Sequence, residues 1–153
     1  MVAAEEDGRG IGRIRLRHIP DASSSSLLPF VKDSIEPGSA VHTDGWLGYL
    51  PLEANEYRHR ITYLKDHAEQ ASELLPRVHR VFSLLKRWLL GTHQGAVRAE
   101  HLQDYLDEFA FRFNRHKSRS RGKLFYRLAQ QAVATEPTTY RQIVDLAQPQ
   151  QRV

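Results

Sequence analysis

The 153-residue chain has no cysteine and no long apolar run. Without cysteine it can form no disulfide framework, no zinc–thiolate site and no thiol nucleophile. No apolar segment approaches the roughly 20 residues that cross a membrane. The opening residues, MVAAEED, also lack the basic and apolar regions of a signal peptide. We therefore expect a soluble cytoplasmic protein without a membrane partner.

The composition that remains is typical of one globular domain. Hydrophobic residues make up 41% of the chain and charged residues 26%, which is enough apolar material for a core. The net charge of +4 is unevenly distributed, because residues 77–127 carry 12 Lys and Arg but only 4 Asp and Glu. A basic segment on an otherwise acidic domain is typical of a protein that binds a polyanion. The alternative is chance clustering on a solvated helical surface.

The first half of the chain has the pattern of short strands around one helix. In residues 11–18, Ile14 and Leu16 alternate with arginines, which predicts a half-buried strand with a basic outer face. Residues 2–5 are expected to end a preceding strand, and residues 7–10 to form the hairpin turn. Further segments are assigned as follows: a helix over 23–35 capped by Asp21 or a serine, a strand over 40–43 that Gly45 ends, and a strand over 57–64.

The second half has the pattern of helices. After a polar stretch over 65–73, the spacing of Val78, Phe82, Leu85 and Leu89 predicts a helix with one buried face, which Gly91 closes. The remaining segments are a helix over 98–114, a basic loop over 117–122, a helix over 124–133 and a short turn or helix over 139–146. Strands and helices in this order predict the α/β class with a mixed sheet.

Asp44 and His79 are the residues whose chemistry stands out. Asp44 follows a short strand, whereas His79 and Lys86 lie on the first of the later helices. At about 100° per residue, His79, Ser83, Lys86 and Leu90 fall on one flank of that helix, beside its apolar face. His79 could then face Asp44 across a cleft. A carboxylate, a second ligand and a lysine are typical of a two-metal phosphoryl-transfer site, where the lysine holds a phosphate.

Each of these residues also has an ordinary interpretation. An aspartate before glycine is commonly a turn former, as Asp44 would be before Gly45. A histidine near a helix start is usually a capping or surface residue, and a lone lysine is usually a solvated charge. The combined spacing is what favours a catalytic site over these alternatives.

Three segments together resemble a known family. They are VHTDGWLGY at 41–49, LPRVHRVFSLLKRWLLGTH at 75–93 and YLDEFAFRFNR at 105–115. In this order they resemble the ISXO-like insertion-sequence transposases, which are DDE enzymes with an RNase H-like fold. The resemblance extends from about Gly12 to Tyr140.

The resemblance implies specific roles for residues of this chain. Asp44 matches the family's second catalytic aspartate, His79 falls at the third ligand, and Lys86 matches the lysine that follows it. Asp44 and His79 would then bind Mg²⁺ or Mn²⁺. The DNA-binding residues implied are Lys86, Arg87, Arg112, Asn114 and Arg115, although Arg112 and Asn114 could instead be structural.

The family's first aspartate lies on an opening strand for which we find no counterpart. Glu5, Glu6 and Asp7 match a strand end and turn rather than a metal ligand. We therefore expect an RNase H-like mixed sheet flanked by helices but lacking its opening strand. Residues 1–146 would form a partial transposase catalytic domain and residues 147–153 a disordered tail.

The expected function is metal-dependent DNA strand cleavage and transfer during transposition, impaired by the absent aspartate. The alternative is a DNA-binding or inhibitory transposase fragment without catalysis. An unrelated RNase H-like nuclease and an α/β domain with no nucleic-acid role are weaker alternatives. The expected partners are insertion-sequence ends, target DNA, and further copies of the chain or a full-length transposase at the prokaryotic nucleoid.

Overall fold

Strands and helices alternate through a computed structural model that describes residues 1–63, 74–95 and 97–141, with backbone alone at position 121. Its strands are β1 (Val2–Asp7), β2 (Gly10–Leu16), β3 (Ala40–Thr43) and β4 (Arg58–Ile61). Its α-helices are α1 (Ser24–Ser34), α2 (Pro76–Thr92), α3 (Leu102–Arg115) and α4 (Arg121–Ala134). Two 3₁₀ helices cover Leu47–Asn55 and Ala99–His101. The expected α/β class is confirmed.

The β1–β2 hairpin packs against α2 and α3. Its strands pair antiparallel, and the turn contains Gly8 at φ +55°, as the sequence predicts for residues 7–10. Alternation along β2 turns Ile14 and Leu16 inward, which is also confirmed. The buried residues of this first core are Ile14, Leu16, Val81, Leu85, Leu106 and Phe109.

Arg77, at the start of α2, joins the hairpin turn to the helix through hydrogen bonds. Its Nε donates to the Gly10 carbonyl at 3.0 Å, and its Nη1 donates to Glu6 Oε1 at 2.8 Å. A third bond runs from Nη2 to the carbonyl of Gly8. Three donors of one planar guanidinium therefore orient the turn, a task suited to the fork geometry of arginine.

A second core lies under β3 and β4. These strands pair in parallel, with Ala40 opposite Arg58 and Thr43 opposite Ile61. The buried residues of this core are Val31, Val41, Leu52 and Tyr57, from α1, β3, the longer 3₁₀ helix and the position just before β4. The Tyr57 hydroxyl donates to the Ile35 carbonyl at 3.0 Å, so the polar end of this buried ring is satisfied.

The expected single mixed sheet does not form within the ranges that the structure describes. The hairpin and the parallel pair are two separate two-stranded sheets, and none of the described strands lies between them. The short turn forces β1 and β2 to be antiparallel, whereas β3 and β4 are parallel because the 3₁₀ helix carries the chain back between them. Both kinds of pairing expected in a mixed sheet are therefore present, but in different sheets.

The predicted buried face of α2 is partly wrong. Leu85 is buried as expected, but Phe82 is 44% exposed, and the fully buried residue is Val81. Apolar residues from Leu84 through Val81 and Leu85 to Phe82 cover a broad arc of this helix, so more than one choice of buried stripe satisfies the helical period. Contact with the hairpin and α3 selects the face that contains Val81, Leu85 and Trp88. The flank that carries Lys86 consequently points towards solvent.

Several smaller predictions also differ from the structure. Arg17 does not lie in solvent as part of an outer basic stripe, because it pairs with Asp33 at 2.9 Å and lies over the Phe30 ring. The 3₁₀ helix over Leu47–Asn55 has no counterpart among the predicted elements. Helix α4 begins three residues early and takes in the end of the predicted basic loop. The predictions for 65–73 and 147–153 lie outside the described residues, as does most of 139–146.

No helix in the described ranges is long and apolar enough to cross a membrane.

Asn114 joins α3 to the hairpin through the backbone of Ile14. The Ile14 N–H donates to Asn114 Oδ1 at 2.7 Å, and Asn114 Nδ2 donates to the Ile14 carbonyl at 3.0 Å. A helix side chain thus takes the place that a neighbouring strand would take at this residue. Because Ile14 is fully buried, its backbone groups have little access to water: the N–H depends on this amide, and the carbonyl also accepts a bond from Arg15 Nη1 at 3.3 Å.

We expect Asn114→Ala to lower the free energy of unfolding by about 1–3 kcal/mol, because it leaves the Ile14 N–H unpaired and its carbonyl with only the 3.3 Å bond from Arg15 Nη1. The matched control is Arg112→Ala on the same helix, which removes only an exposed ion pair to Glu108 and should cost less than about 1 kcal/mol. Urea denaturation of both variants measures the difference. Equal losses would contradict the role assigned to Asn114.

Candidate functional site

Asp44 lies at the carboxyl edge of the parallel β3–β4 pair. Two imidazole–hydroxyl contacts hold this edge together, one from His42 Nε2 to Thr62 Oγ1 at 2.6 Å and one from Thr43 Oγ1 to His59 Nε2 at 2.8 Å. Asp44 comes directly after β3, and its side chain is exposed. Ligands of open α/β sheets bind at the carboxyl ends of parallel strands, so this edge is a natural place for a site.

The backbone around Asp44 turns sharply at Gly45. This glycine has φ +79°, and a Cβ there would lie 2.8 Å from the Tyr63 ring and 2.9 Å from Ile61 Cγ2. The next residue donates its backbone N–H to Asp44 Oδ1 at 3.2 Å, which orients the carboxylate at the turn. Asp44 therefore forms a turn, as an aspartate before glycine commonly does. It is also an exposed carboxylate, and among the described residues its second oxygen has no hydrogen-bond donor.

The pKa of the Tyr49 hydroxyl responds to burial and to the charge of Asp44. Burial raises the pKa of its hydroxyl, and the negative charge of Asp44 raises it further. Its ring also lies 6.4 Å from the ring of His59. The Asp44 carboxylate is thus close enough to the second core to affect it, although its side chain is open to solvent.

His79 and Lys86 lie on α2, which packs on the other sheet. His79 is half-buried in the first turns of the helix, and its carbonyl accepts a hydrogen bond from Ser83 Oγ at 2.8 Å. Lys86 is exposed, with Nζ 4.7 Å from the centre of the Phe82 ring. Asp44 thus accepts a hydrogen bond from the Trp46 N–H, and Lys86 contacts the Phe82 ring. A joint role of Asp44, His79 and Lys86 stays a prediction.

The fit of a metal to these residues is incomplete. An exposed carboxylate such as Asp44 is a suitable oxygen ligand for Mg²⁺. No group of three or more His, Asp or Glu side chains in the described part of the chain is arranged to hold a metal ion. Glu5 and Glu6 are used within the hairpin, where they accept bonds from the Arg13 N–H and from Arg77. These residues therefore provide single ligands rather than a complete two-metal centre.

The predicted DNA-binding residues fall into two groups. Lys86, Arg87 and Arg112 are exposed, and Arg112 pairs with Glu108 at 2.7 Å. By contrast, Asn114 uses its amide on the Ile14 backbone, and Arg115 lies over the Phe111 ring at 3.7 Å. These contacts give Asn114 and Arg115 a structural role, while their contact with DNA stays a prediction.

The residues that flank Asp44 were not among those predicted from the sequence. His42 precedes it by two positions, so period-two alternation in β3 places both on the same face. That signal was available in the sequence. The positions of His59, Thr62 and Tyr63 near Asp44 could not be predicted from the sequence, because they depend on the register of β4 against β3.

Comparisons with known proteins agree with this arrangement of motifs. A family model described as an ISXO2-like transposase domain matches residues 1–114. The chain is also similar to an uncharacterized transposase-like protein of Haemophilus influenzae, with 26% identity over 102 residues, which is 67% of this chain and 81% of the relative. No solved structure matches the chain. This protein is thus a DNA-processing protein of the transposase type. It belongs to the ISXO2-like transposase domain family.

The His42 contact predicts acid sensitivity. Burial lowers the pKa of His42 below 6.5, and the positive charge of Arg60 lowers it further, whereas Glu6 opposes the shift. Below about pH 6.5 the unfolded chain therefore binds a proton that the folded chain resists, so the free energy of unfolding falls as the pH drops. We expect His42→Gln to flatten this fall between about pH 7 and 5, measured by urea denaturation at several pH values.

The matched control for this experiment is His18→Gln, which removes an exposed imidazole from the end of the hairpin. The comparison concerns the slope with pH, because loss of the bond to Thr62 lowers stability at every pH. A pH dependence that is unchanged in His42→Gln would contradict the assignment.

Proposed function

We propose that this chain is the catalytic domain of a DDE-type insertion-sequence transposase, with Asp44 as one of its metal-binding carboxylates. The observation that carries the proposal is the exposure of Asp44 at the carboxyl edge of a parallel strand pair, within a chain of this family. The proposed RNase H-like arrangement is compatible with an antiparallel hairpin followed by a helix and a parallel pair.

The proposed reaction is cleavage and transfer of DNA strands at the ends of an insertion sequence. Bound Mg²⁺ or Mn²⁺ would supply the positive charge that activates a water or 3′-hydroxyl and stabilises the leaving oxygen. Asp44 and His79 are the proposed ligands, and Lys86 the proposed phosphate contact, since an exposed ammonium can bind a phosphate as a point charge. Asp44 and His79 are two ligands, fewer than a two-metal centre needs, and we propose that the chain alone is impaired in cleavage.

The partners that follow from this proposal are insertion-sequence ends and target DNA. Further copies of the chain, or a full-length transposase, would complete the assembly. The proposed place of action is the nucleoid in the cytoplasm of a prokaryotic cell.

Metal binding by Asp44 can be tested without a cleavage assay. We expect Mn²⁺ to broaden the NMR signals of the Gly45 and Trp46 amides, because a paramagnetic ion on the carboxylate would lie close to both. The same titration of Asp44→Asn should leave these amides sharp, since a neutral amide is a much poorer ligand. Any Mn²⁺-dependent nicking of supercoiled plasmid should also be lost in Asp44→Asn.

Asp104→Asn is the matched control for this experiment, because Asp104 is an exposed aspartate on α3, away from the proposed site. It should behave as the unmodified chain in both measurements. Broadening or nicking that persists in Asp44→Asn would overturn the metal role of Asp44. Efficient Mg²⁺-dependent cutting and joining by the unmodified chain would overturn the proposed impairment.

The second candidate function is DNA binding without chemistry, as by an inhibitory transposase fragment. The observation that favours it is the row of exposed cations on α2 and α3, which needs no metal to attract phosphates. Lys86 and Arg87 are adjacent on α2 and both exposed, so they can contact one backbone segment of DNA.

We expect Lys86→Ala combined with Arg87→Ala to reduce the salt dependence of DNA affinity. Each lost phosphate contact should lower the slope of log affinity against log salt by about 0.9 for a duplex. Fluorescence anisotropy of a labelled duplex at several salt concentrations measures this slope. Lys32→Ala, an exposed lysine on α1, is the control and should leave it unchanged. A slope that the double variant does not alter would remove Lys86 and Arg87 from the interface.

A further inference from the structure

Large apolar side chains are exposed beside Asp44. Trp46 is 53% exposed, Tyr63 66%, Leu47 70% and Leu50 62%. The other tryptophan, Trp88, instead packs against the rings of His93, Tyr105 and Phe109. The exposure of Trp46 is therefore a feature of this edge and not a general property of the tryptophans of this chain.

The Trp46 ring is held in place although it is exposed. Its Nε1–H donates to the Ala22 carbonyl at 2.7 Å, so the polar atom of the indole is satisfied. The ring also lies close to Gly48, where a Cβ would be 3.0 Å from Trp46 Cδ1. A ring fixed through its edge keeps much of its surface open, which suits it to stacking with a flat ligand.

Tyr63, two residues after β4, contacts the same turn. Its ring packs against Gly45, so the two aromatic residues flank the segment that carries Asp44. We refer to Trp46 and Tyr63 as the aromatic pair. Trp46 donates its backbone N–H to the exposed carboxylate, Tyr63 contacts the glycine next to it, and neither ring belongs to the buried residues of the second core.

We propose that the aromatic pair stacks an unpaired nucleobase of a DNA strand that passes the edge of the sheet where Asp44 lies. This inference rests on the proposed function, since it assigns a ligand to the same edge of the sheet. Aromatic stacking accepts any base because every base has a flat π-face. A nucleobase beside a phosphate would also account for an aromatic surface and a charged site at one edge.

Charge on the neighbouring strand favours a polyanion over an apolar peptide or a lipid tail. Arg60 pairs with His42 across the parallel strands, so it lies on the face that His42 shares with Asp44, and its side chain is exposed. A cation on this face matches the phosphate that accompanies every base. In a duplex the bases are stacked on each other, so the ligand is a single strand or a frayed end.

Tryptophan fluorescence tests this inference in the full chain. We expect an oligothymidine of about 12 nucleotides, added with EDTA so that no metal contributes, to quench the emission. Trp46→Phe should remove most of this quenching, because Trp88 is the only other tryptophan and is packed in the first core. Trp46→Ala should weaken the affinity roughly tenfold or more, and a duplex of equal length should bind the unmodified chain more weakly.

Leu47→Ala is the matched control, since it removes an exposed apolar side chain from the same 3₁₀ helix without removing a ring. It should change the affinity by less than about twofold. Tyr63→Leu provides a second variant that keeps the apolar bulk and loses the aromatic face, and it should also weaken binding. This variant decides the matter if Trp46→Ala does not fold, as judged by circular dichroism.

Several outcomes would overturn the stacking assignment. These are an absence of quenching, quenching that is retained in Trp46→Phe, an equal loss of affinity in Leu47→Ala, and tighter binding of the duplex. Failure of the proposed function is recognised separately. Base stacking in EDTA without Mn²⁺ broadening at Asp44 would overturn the catalytic proposal alone, whereas metal binding without stacking would overturn this inference alone.

Discussion

Burial of Ile14 between the hairpin, α2 and α3 is the constraint on which the larger part of the structure depends. The side chain of Ile14 is fully buried, and both its backbone groups bond to the Asn114 amide. One residue of a strand is thereby joined to a helix 100 residues later in the chain. Arg77 joins the turn of the same hairpin to α2. Apolar packing and a few backbone-directed hydrogen bonds together determine how the helices lie on this sheet.

The parallel pair is organised by a different constraint. Its strands are only four residues long, and contacts at their ends between histidines and threonines supplement the ladder. Gly45 must follow Asp44 because the left-handed turn and the Tyr63 ring leave no room for a Cβ. The same local crowding brings a carboxylate and two aromatic rings to one exposed edge. Function, as proposed, therefore depends on the turn at Gly45.

Much of the local structure was predictable because it rests on short-range patterns. Alternation in β2 correctly placed Ile14 and Leu16 in the core, and the bounds of β3 match the prediction. The buried face of α2 was only partly predictable, since apolar residues cover a broad arc of that helix and only packing against the hairpin and α3 selects Val81 over Phe82. For the site, the position of Asp44 directly after a strand and before the turn at Gly45 followed from local sequence. Its relation to His79 depends on how two separate sheets are placed.

The sequence by itself determined the class of fold, the order of strands and helices, and the family, since these follow from local periodicity and ordered motifs. Only the tertiary structure decided that Asn114 is occupied by the Ile14 backbone, that the strands form two sheets, and that Trp46 and Tyr63 flank Asp44. The physical reason is the range of the forces involved. Period and turn chemistry act over a few residues, whereas burial and backbone pairing join residues that are far apart in the chain.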